Sequence, residues 1–331
     1  MNTMTDLSGL QAESTSFWLE VGPLPPPAEH AKPYLFHDPR FFHLHSINAG
    51  RRGLFITVRD DKSNSIWGMG FAIEMSQGLW QSPGRGTFGG IQWFRPINPF
   101  VVDQCYAKLE ESVLAEDGSS LTIILPPEDY SPWQETLTTG VLKSRGYILV
   151  CTDLNFSTPV NAEALQDRMK PDKKYGVGRA IRKGITTRDL LSAEHKSAYR
   201  VLSDYKQRRG LPMTMTEKAF NDMITLIPGS IIWTGAFLED EMIGASVTLQ
   251  ISSDILSISY TGHSPEGDKM SVQQLLISSI YAEAQHRSCR LLDFGIATRL
   301  GVRNEGLITF KTRLGFRPGQ RTTWSKRLGI W

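Results

Sequence analysis

The sequence predicts a mixed α/β (α+β) protein built as two tandem copies of one unit, each a mostly antiparallel sheet flanked by helices. Strand-like runs bounded by turn-forming residues fall into two sets of five, and each set carries a helical stretch between its third and fourth run. The sets are related by a nearly constant shift: Ile91 to Ser259 and Lys143 to Lys311 are each 168 residues, and Tyr147 to Phe316 is 169. A constant offset across elements in the same order is the mark of an internal repeat. The 331 residues suit about two domains, placed here at 1–158 and 159–331.

In the first set the runs are 54–58 (LFITV), 66–73 (IWGMGFAI), 89–94 (GGIQWF), 121–125 (LTIIL) and 147–151 (YILVC), rich in β-branched and aromatic residues. Apolar residues at 101, 105, 109 and 113 recur with helical spacing and predict a helix over 100–116. The second set is 231–237, 242–250, 255–261, 290–294 and 321–326, with a helix over 271–285 that puts Val272, Leu275, Leu276 and Ile280 on one face. A further helix is expected over 196–209. The copies end alike, "LKSRGY" at 142–147 facing "FKTRLGF" at 310–316. Between them, 157–184 is polar and lysine-rich, either a solvated helix face or a contact for an anion.

Composition narrows the function classes. A hydrophobic content of 40% with 21% charged residues describes a globular protein, and 36 basic against 34 acidic residues give a formal charge of +2, too little for sequence-independent attraction to DNA. The first twenty residues hold no apolar leader and no apolar run reaches the roughly 18 residues of a membrane span, so a soluble, cytoplasmic protein is expected. Cys105, Cys151 and Cys289 suggest neither a disulfide framework nor zinc. His43 and His45, two ligands if they shared a strand face, lack accompanying ligands, so no metal is expected.

One string imitates a protein kinase: His286-Arg287 followed by Asp293-Phe294-Gly295, with a glycine loop at Gly84, Gly86 and Gly89. Spacing rejects it. The asparagine due seven residues after the histidine falls on Asp293 itself, Ser288 replaces the catalytic aspartate, and only 36 residues follow Gly295.

The repeat unit resembles the Gcn5-related N-acetyltransferase (GNAT) superfamily. In the second copy, "RKG", "YRVLSDYKQRRGLP", "MIGASVTLQ", "SYTGHSPEGDKMSVQQLL", "LLDFGIATRLG" and "GLITFKTRLGF" resemble the landmarks of the tandem-domain Fem-like (FemABX) N-acyltransferases. The resemblance implies transfer of an acyl group to an amine, from acyl-CoA as a cosubstrate with no tightly bound cofactor or, in Fem-type ligases, from aminoacyl-tRNA. It also implies a phosphate-binding turn at "SPEGDKMSVQQLL", with Gly267, Lys269, Met270, Ser271 and Val272 as contacts, although the consensus glycines are largely missing. In the first copy "WFRPINPF" has Pro96 and Pro99 at the matching turn, which removes amide donors and points to a degenerate domain.

Acyl transfer needs an unprotonated amine, a stabiliser for the oxyanion and a proton donor for the leaving group. His263 has the right titration range for a base or is a polar loop residue. Asp293 closes an apolar strand, where a carboxylate orients an amine, receives its proton or binds a neighbouring donor. Tyr260 and His263 face opposite sides of a regular strand, and a bulge at Gly262 would be needed to bring both inward. Phe310 and Lys311 occupy a position at which the family resemblance implies contact with the acyl group; otherwise Lys311 is a solvent-facing helix residue. Tyr205, Arg208 and Arg209 suit stacking and phosphate pairing in a substrate site.

The expected function is transfer of an acyl group from acyl-CoA to the amine of a nucleotide-linked or similarly activated amino sugar in cell-surface glycan synthesis. The alternatives are a Fem-type ligase using aminoacyl-tRNA and a peptidoglycan precursor, and a catalytically silent binding protein. Asp293→Asn is expected at this stage to lower turnover far more than stability. Oligomeric state, acyl chain and acceptor are open at this level.

Overall fold

The computed structural model describes residues 16–24 and 31–329, so most of the opening segment read above for a leader lies outside the described residues. The first half contains β1 (Phe17–Gly22), α1 (Pro39–His45), β2 (Gly53–Asp60), β3 (Ile66–Ser76), β4 (Leu79–Ser82), β5 (Ile91–Trp93), α2 (Pro99–Ala115), β6 (Ser120–Ile124), α3 (Pro132–Ser144) and β7 (Ile148–Pro159). The second contains α4 (Pro171–Arg182), β8 (Ile185–Asp189), α5 (His195–Arg208), α6 (Glu217–Leu226), β9 (Ile231–Leu238), β10 (Glu241–Ser252) and β11 (Ile255–His263). It continues with α7 (Pro265–Lys269), α8 (Val272–His286), β12 (Leu291–Ile296), β13 (Thr298–Arg299), β14 (Val302–Arg303), α9 (Glu305–Arg313) and β15 (Arg317–Arg327).

Every expected strand and helix is present. Local chemistry sets several boundaries: Asn98 and Asn304 accept from the amides of Phe100 and Leu307 at the starts of α2 and α9, and Pro99 occupies the first turn of α2, where its missing N–H costs nothing. The polar 157–184 stretch includes the end of β7 and α4, which buries Gly176, Val177 and Ala180; Lys174 is exposed, whereas the Lys173 ammonium is tucked 5.2 Å from the Phe310 ring centre. His43 and His45 lie on α1, not on a strand, and no cluster of three metal-ligating side chains occurs among the described residues.

The two halves share one thirteen-stranded mixed sheet, in the order β1-β2-β3-β4-β6-β15-β7-β12-β11-β10-β9-β8, with β5 beside β3. Each half lends its last strand to the other. β7 lies between β15 and β12, pairing Ser157 with Asp293 on one edge and Asn155 with Gly319 on the other, while β15 pairs Trp324 with Ile123 of β6. The exchange explains why β7 and β15 outrun their expected lengths: each must satisfy backbone groups along two neighbours. α5 and α8 cover opposite faces of the second half's strands. One apolar cluster joins Tyr34, Phe88 and Tyr130 of the first half to Leu202, Phe220, Trp233 and Tyr260 of the second.

The halves differ at their centres. In the first, the Gln134 side chain accepts from Trp93 N at 2.9 Å and donates to Trp93 O at 3.0 Å, imitating a neighbouring strand on β5. The adjoining space, between Tyr34, Ile91 and Leu125, shrinks to about 20 Å³. In the second half the matching region is open.

The exchanged strands predict interdependence. Residues 1–158 and 159–331 produced separately are expected to show no cooperative unfolding by circular dichroism, and to form a folded complex when co-expressed; a separate half that melts cooperatively contradicts the shared sheet.

Candidate active site

Parallel strands β11 and β12 pair only through Ile255↔Leu291, Leu256↔Leu292 and Ser257↔Asp293, and then diverge. The fork opens a cleft of about 390 Å³, with Ser257–Thr261 on one wall and Asp293–Ile296 on the other. Tyr205, Lys206 and Leu211 close one side; Leu307, Phe310 and Lys311 close another, and Thr87 and Pro127 arrive from the first half. On β11 the register slips between Val247↔Tyr260 and Thr248↔Ile258, so Ser259 is a bulged residue and is exposed. The bulge expected at Gly262 is therefore three residues earlier. Gly262 pairs regularly with Ala245, and its missing side chain makes room for α5: a Cβ there would lie 3.0 Å from that of Tyr205.

Asp293 is buried at the point where the strands part. Its Oδ1 accepts from Asn155 Nδ2 at 2.6 Å and Gly295 N at 3.1 Å; its Oδ2 accepts from Ser257 Oγ at 2.9 Å and Tyr130 Oη at 3.1 Å. Four donors fill the roughly four lone-pair directions of a carboxylate. Burial, reinforced by the Asp293 charge, pushes the Tyr130 phenol well above its ordinary range and keeps it a donor. Tyr130 thus reaches from one half into the centre of the other, and Arg290 clamps its carbonyl at 2.6 Å.

Beyond Asp293, β12 gains one residue relative to β7, between Asp293↔Ser157 and Ile296↔Asn155. Gly295 takes φ +70° there, a conformation glycine adopts without strain. The bulge turns three successive carbonyls toward Lys311, whose Nζ donates to Phe294 O at 2.6 Å, Gly295 O at 2.8 Å and Ile296 O at 2.9 Å. Lys311 is 3% exposed, against the solvent-facing alternative, with its ammonium 4.8 Å from the Phe294 ring centre. Burial pulls its pKa down to about 7, opposed by the Asp293 charge. Only the ammonium form has three N–H bonds for three carbonyls.

The remaining expected residues divide. Tyr260 lines the cleft, its hydroxyl against Thr214 Oγ1 and its pKa raised by burial. His263 does not line it. The bulge precedes Tyr260, so the spacing from Tyr260↔Val247 to His263↔Gly244 stays regular. His263 is buried against Tyr205, its Nδ1 3.1 Å from Ser264 O, and burial lowers its pKa, so the ring is neutral near pH 7. Tyr205 and Phe310 line opposite sides of the cleft. Arg208 turns away to the His263 carbonyl, and exposed Arg209 stands 5.6 Å from the Tyr205 ring without lining the cleft.

The 265–272 turn is partly consumed by its own contacts. Gly267 N donates to Ser264 Oγ, Met270 N to Gly267 O and Ser271 N to Asp268 O. Gly267 packs beneath β10, where a Cβ would meet Ile243 O at 2.6 Å. Arg179 of α4 covers the turn through Lys269 O and through Ser271 Oγ at 3.1 Å. The amides of Val272 and Gln273, in the first turn of α8, have no partner among the described residues.

Sequence reasoning missed Tyr130, Asn155 and Ser257, which come to Asp293 from three separate strands and turns and share no local pattern. It also missed Lys206, adjacent in the chain to Tyr205. Lys206 lines the cleft; its ammonium, 5.6 Å from the Tyr260 ring centre, has no hydrogen bond or ion pair among the described residues, and burial lowers its pKa.

The environment of Asp293 reverses the expectation for its amide variant. Asp293→Asn would aim an NH2 at donors and is expected to cost about 2–3 kcal/mol of stability, read as a lowered denaturation midpoint; an unchanged midpoint contradicts the four-donor arrangement.

No protein-family model and no curated protein matches the sequence. Solved structures do. The crystal structure of FemX superposes with a TM-score of 0.70 at 12% identity, covering 91% of this chain and 94% of that one. The structure of L-PGS from Bacillus licheniformis gives 0.58 at 12% identity over 94% and 95%. A tandem GNAT protein from the clavulanic acid biosynthesis pathway gives 0.55 at 12% identity over 95% and 100%. Over nearly its whole length, the chain has the GNAT/Fem-like fold of two tandem units.

Proposed function

We propose that the protein is an N-acyltransferase that joins an acyl group to an amine inside the fork between β11 and β12. The observation that carries this reading is the fork itself: past Ser257 the β12-facing edge of β11 has no strand partner, and Lys311 stands across the cleft. An acyl carbonyl placed along that edge would meet backbone N–H donors as its oxygen gains charge. The Lys311 ammonium, its own N–H bonds committed to carbonyls, acts on that charge through its field. Asp293 serves as a positioning residue that keeps the strands apart. The amine enters unprotonated, attacks the carbonyl carbon, and its proton leaves with the departing thiol or hydroxyl.

Acyl-CoA is the proposed donor, since the two unpartnered amides of α8 and the Arg179 guanidinium form a small anion-binding end beside the turn. The proposed acceptor is the amine of a nucleotide-linked amino sugar, with the Tyr205 ring available for stacking and Lys206 for a phosphate. The second reading, aminoacyl-tRNA as donor, is favoured by the internally bonded amides of Gly267, Met270 and Ser271, which leave no glycine-lined cradle for a pyrophosphate. Mass spectrometry of reactions pairing acyl-CoAs or aminoacyl-tRNA with nucleotide amino sugars is expected to find an amide product from the CoA donors. A product from aminoacyl-tRNA alone selects the second reading; no product with either removes the enzymatic one.

A pH profile tests Lys311. Because the amine binds unprotonated, its loss of a proton should raise kcat/KM with pH, while kcat should fall through about pH 7 as Lys311 loses its charge. Lys311→Met is expected to lower kcat by roughly 10²–10³-fold with little change in KM and to abolish the falling limb; a retained falling limb assigns it to another group.

A further inference from the structure

The hairpin β13–β14 joins the two elements that wall the cleft, β12 and α9, and its tip is built against ordinary solution chemistry. Thr298 pairs with Arg303 and Arg299 with Val302, leaving Leu300 and Gly301 as a two-residue turn at φ +51° and +78°. Such a turn favours Asn, Asp or Gly at its first position, because a larger side chain is strained at positive φ. Leu300 occupies it with 78% of its surface exposed, the largest value among the exposed apolar residues described, and nearby Val302 is 72% exposed. Strain and exposed apolar surface at one residue point to a use for that side chain.

The tip is fixed in place. Buried Asp153 accepts from Thr298 Oγ1 at 2.6 Å and Gly301 N at 3.2 Å, and pairs with Arg321 at 2.9 Å. Gly301 abuts Cys151 of β7. The residues just before Cys151 extend the apolar surface: Ile148, Leu149 and Val150 are 69%, 49% and 53% exposed. The register slips between Thr323↔Cys151 and Trp324↔Leu149, so Val150 is a bulged residue, while the successive pairs Leu149↔Trp324 and Ile148↔Ser325 put Leu149 and Ile148 on opposite faces, each with much of its surface exposed. A protein partner lying flat would cover one face; immersion in an apolar layer covers both.

We infer that the hairpin tip and the start of β7 dock the protein on an anionic lipid surface. Leu300, Val302 and the Ile148–Val150 segment enter the acyl boundary, and the cations around them meet the phosphates. Arg299 has no partner among the described residues, Arg303 shares its charge with Glu305 at 2.6 Å, and exposed Lys143 stands over Trp324, the strand partner of Leu149. Apolar side chains flanked by guanidinium groups that reach outward are the pattern of a surface-bound membrane segment. This inference is independent of the acyl-transfer reading.

Sedimentation of the full chain with phosphatidylcholine vesicles, with and without phosphatidylglycerol, tests it. The protein is expected to pellet with the phosphatidylglycerol vesicles and to be released by added salt. The double variant Leu300→Asn, Val302→Thr should bind at least about tenfold more weakly, with an unchanged or higher melting temperature because Asn suits the turn. Failure of the native chain to pellet with either vesicle, or equal pelleting of the variant, overturns the inference. A concentration-dependent dimer in analytical ultracentrifugation that the same variant dissociates also overturns it and assigns the surface to a second copy.

Discussion

A sheet cannot be opened without stranding backbone polar groups, and this molecule is organised around answering that cost at one point. Two parallel strands stay paired through Ser257 and Asp293 and then part. The carboxylate of Asp293 gathers four donors at the parting, and the ammonium of Lys311 gathers the three carbonyls that follow. Each group is a buried charge satisfied by neutral dipoles, which is how a charge persists in a protein interior. Between them they hold an open fork in place of a continuous sheet.

The first half of the chain is part of that arrangement. Its Tyr130 supplies one of the four donors to Asp293, Asn155 of β7 supplies another, and Thr87 and Pro127 close the cleft. The exchanged strands make the dependence mutual, since β7 fills the second half's sheet while β15 fills the first's. In the first half Gln134 occupies the edge of β5 with both its amide groups, so one unit presents a cleft and its repeat a closed support.

Elements and their order were legible because hydrophobic periodicity is local, and the near-constant 168-residue shift carried the tandem architecture. The strand exchange was not legible, since β7 and β15 read as ordinary terminal strands and nothing local names their partners. The cleft was half legible. Asp293 stood out as a charge closing an apolar run, which its burial among four donors explains, and Lys311 stood out through the family resemblance. His263 stood out by residue type alone, and burial beside Tyr205 gives it a packing environment instead. Tyr130 and Lys206 carried no signal of their own, because their place in the site comes from long-range packing.

The central claim is that the fork between β11 and β12 receives the reacting carbonyl. A crystal structure with a non-reactive acyl thioether analogue of coenzyme A tests it most directly. The account predicts the analogue's acyl end between the Ile258–Thr261 edge and Lys311, with its oxygen within hydrogen-bonding distance of a β11 amide. An acyl end bound outside the fork, or strands β11 and β12 closed upon each other beyond Ser257, would contradict it.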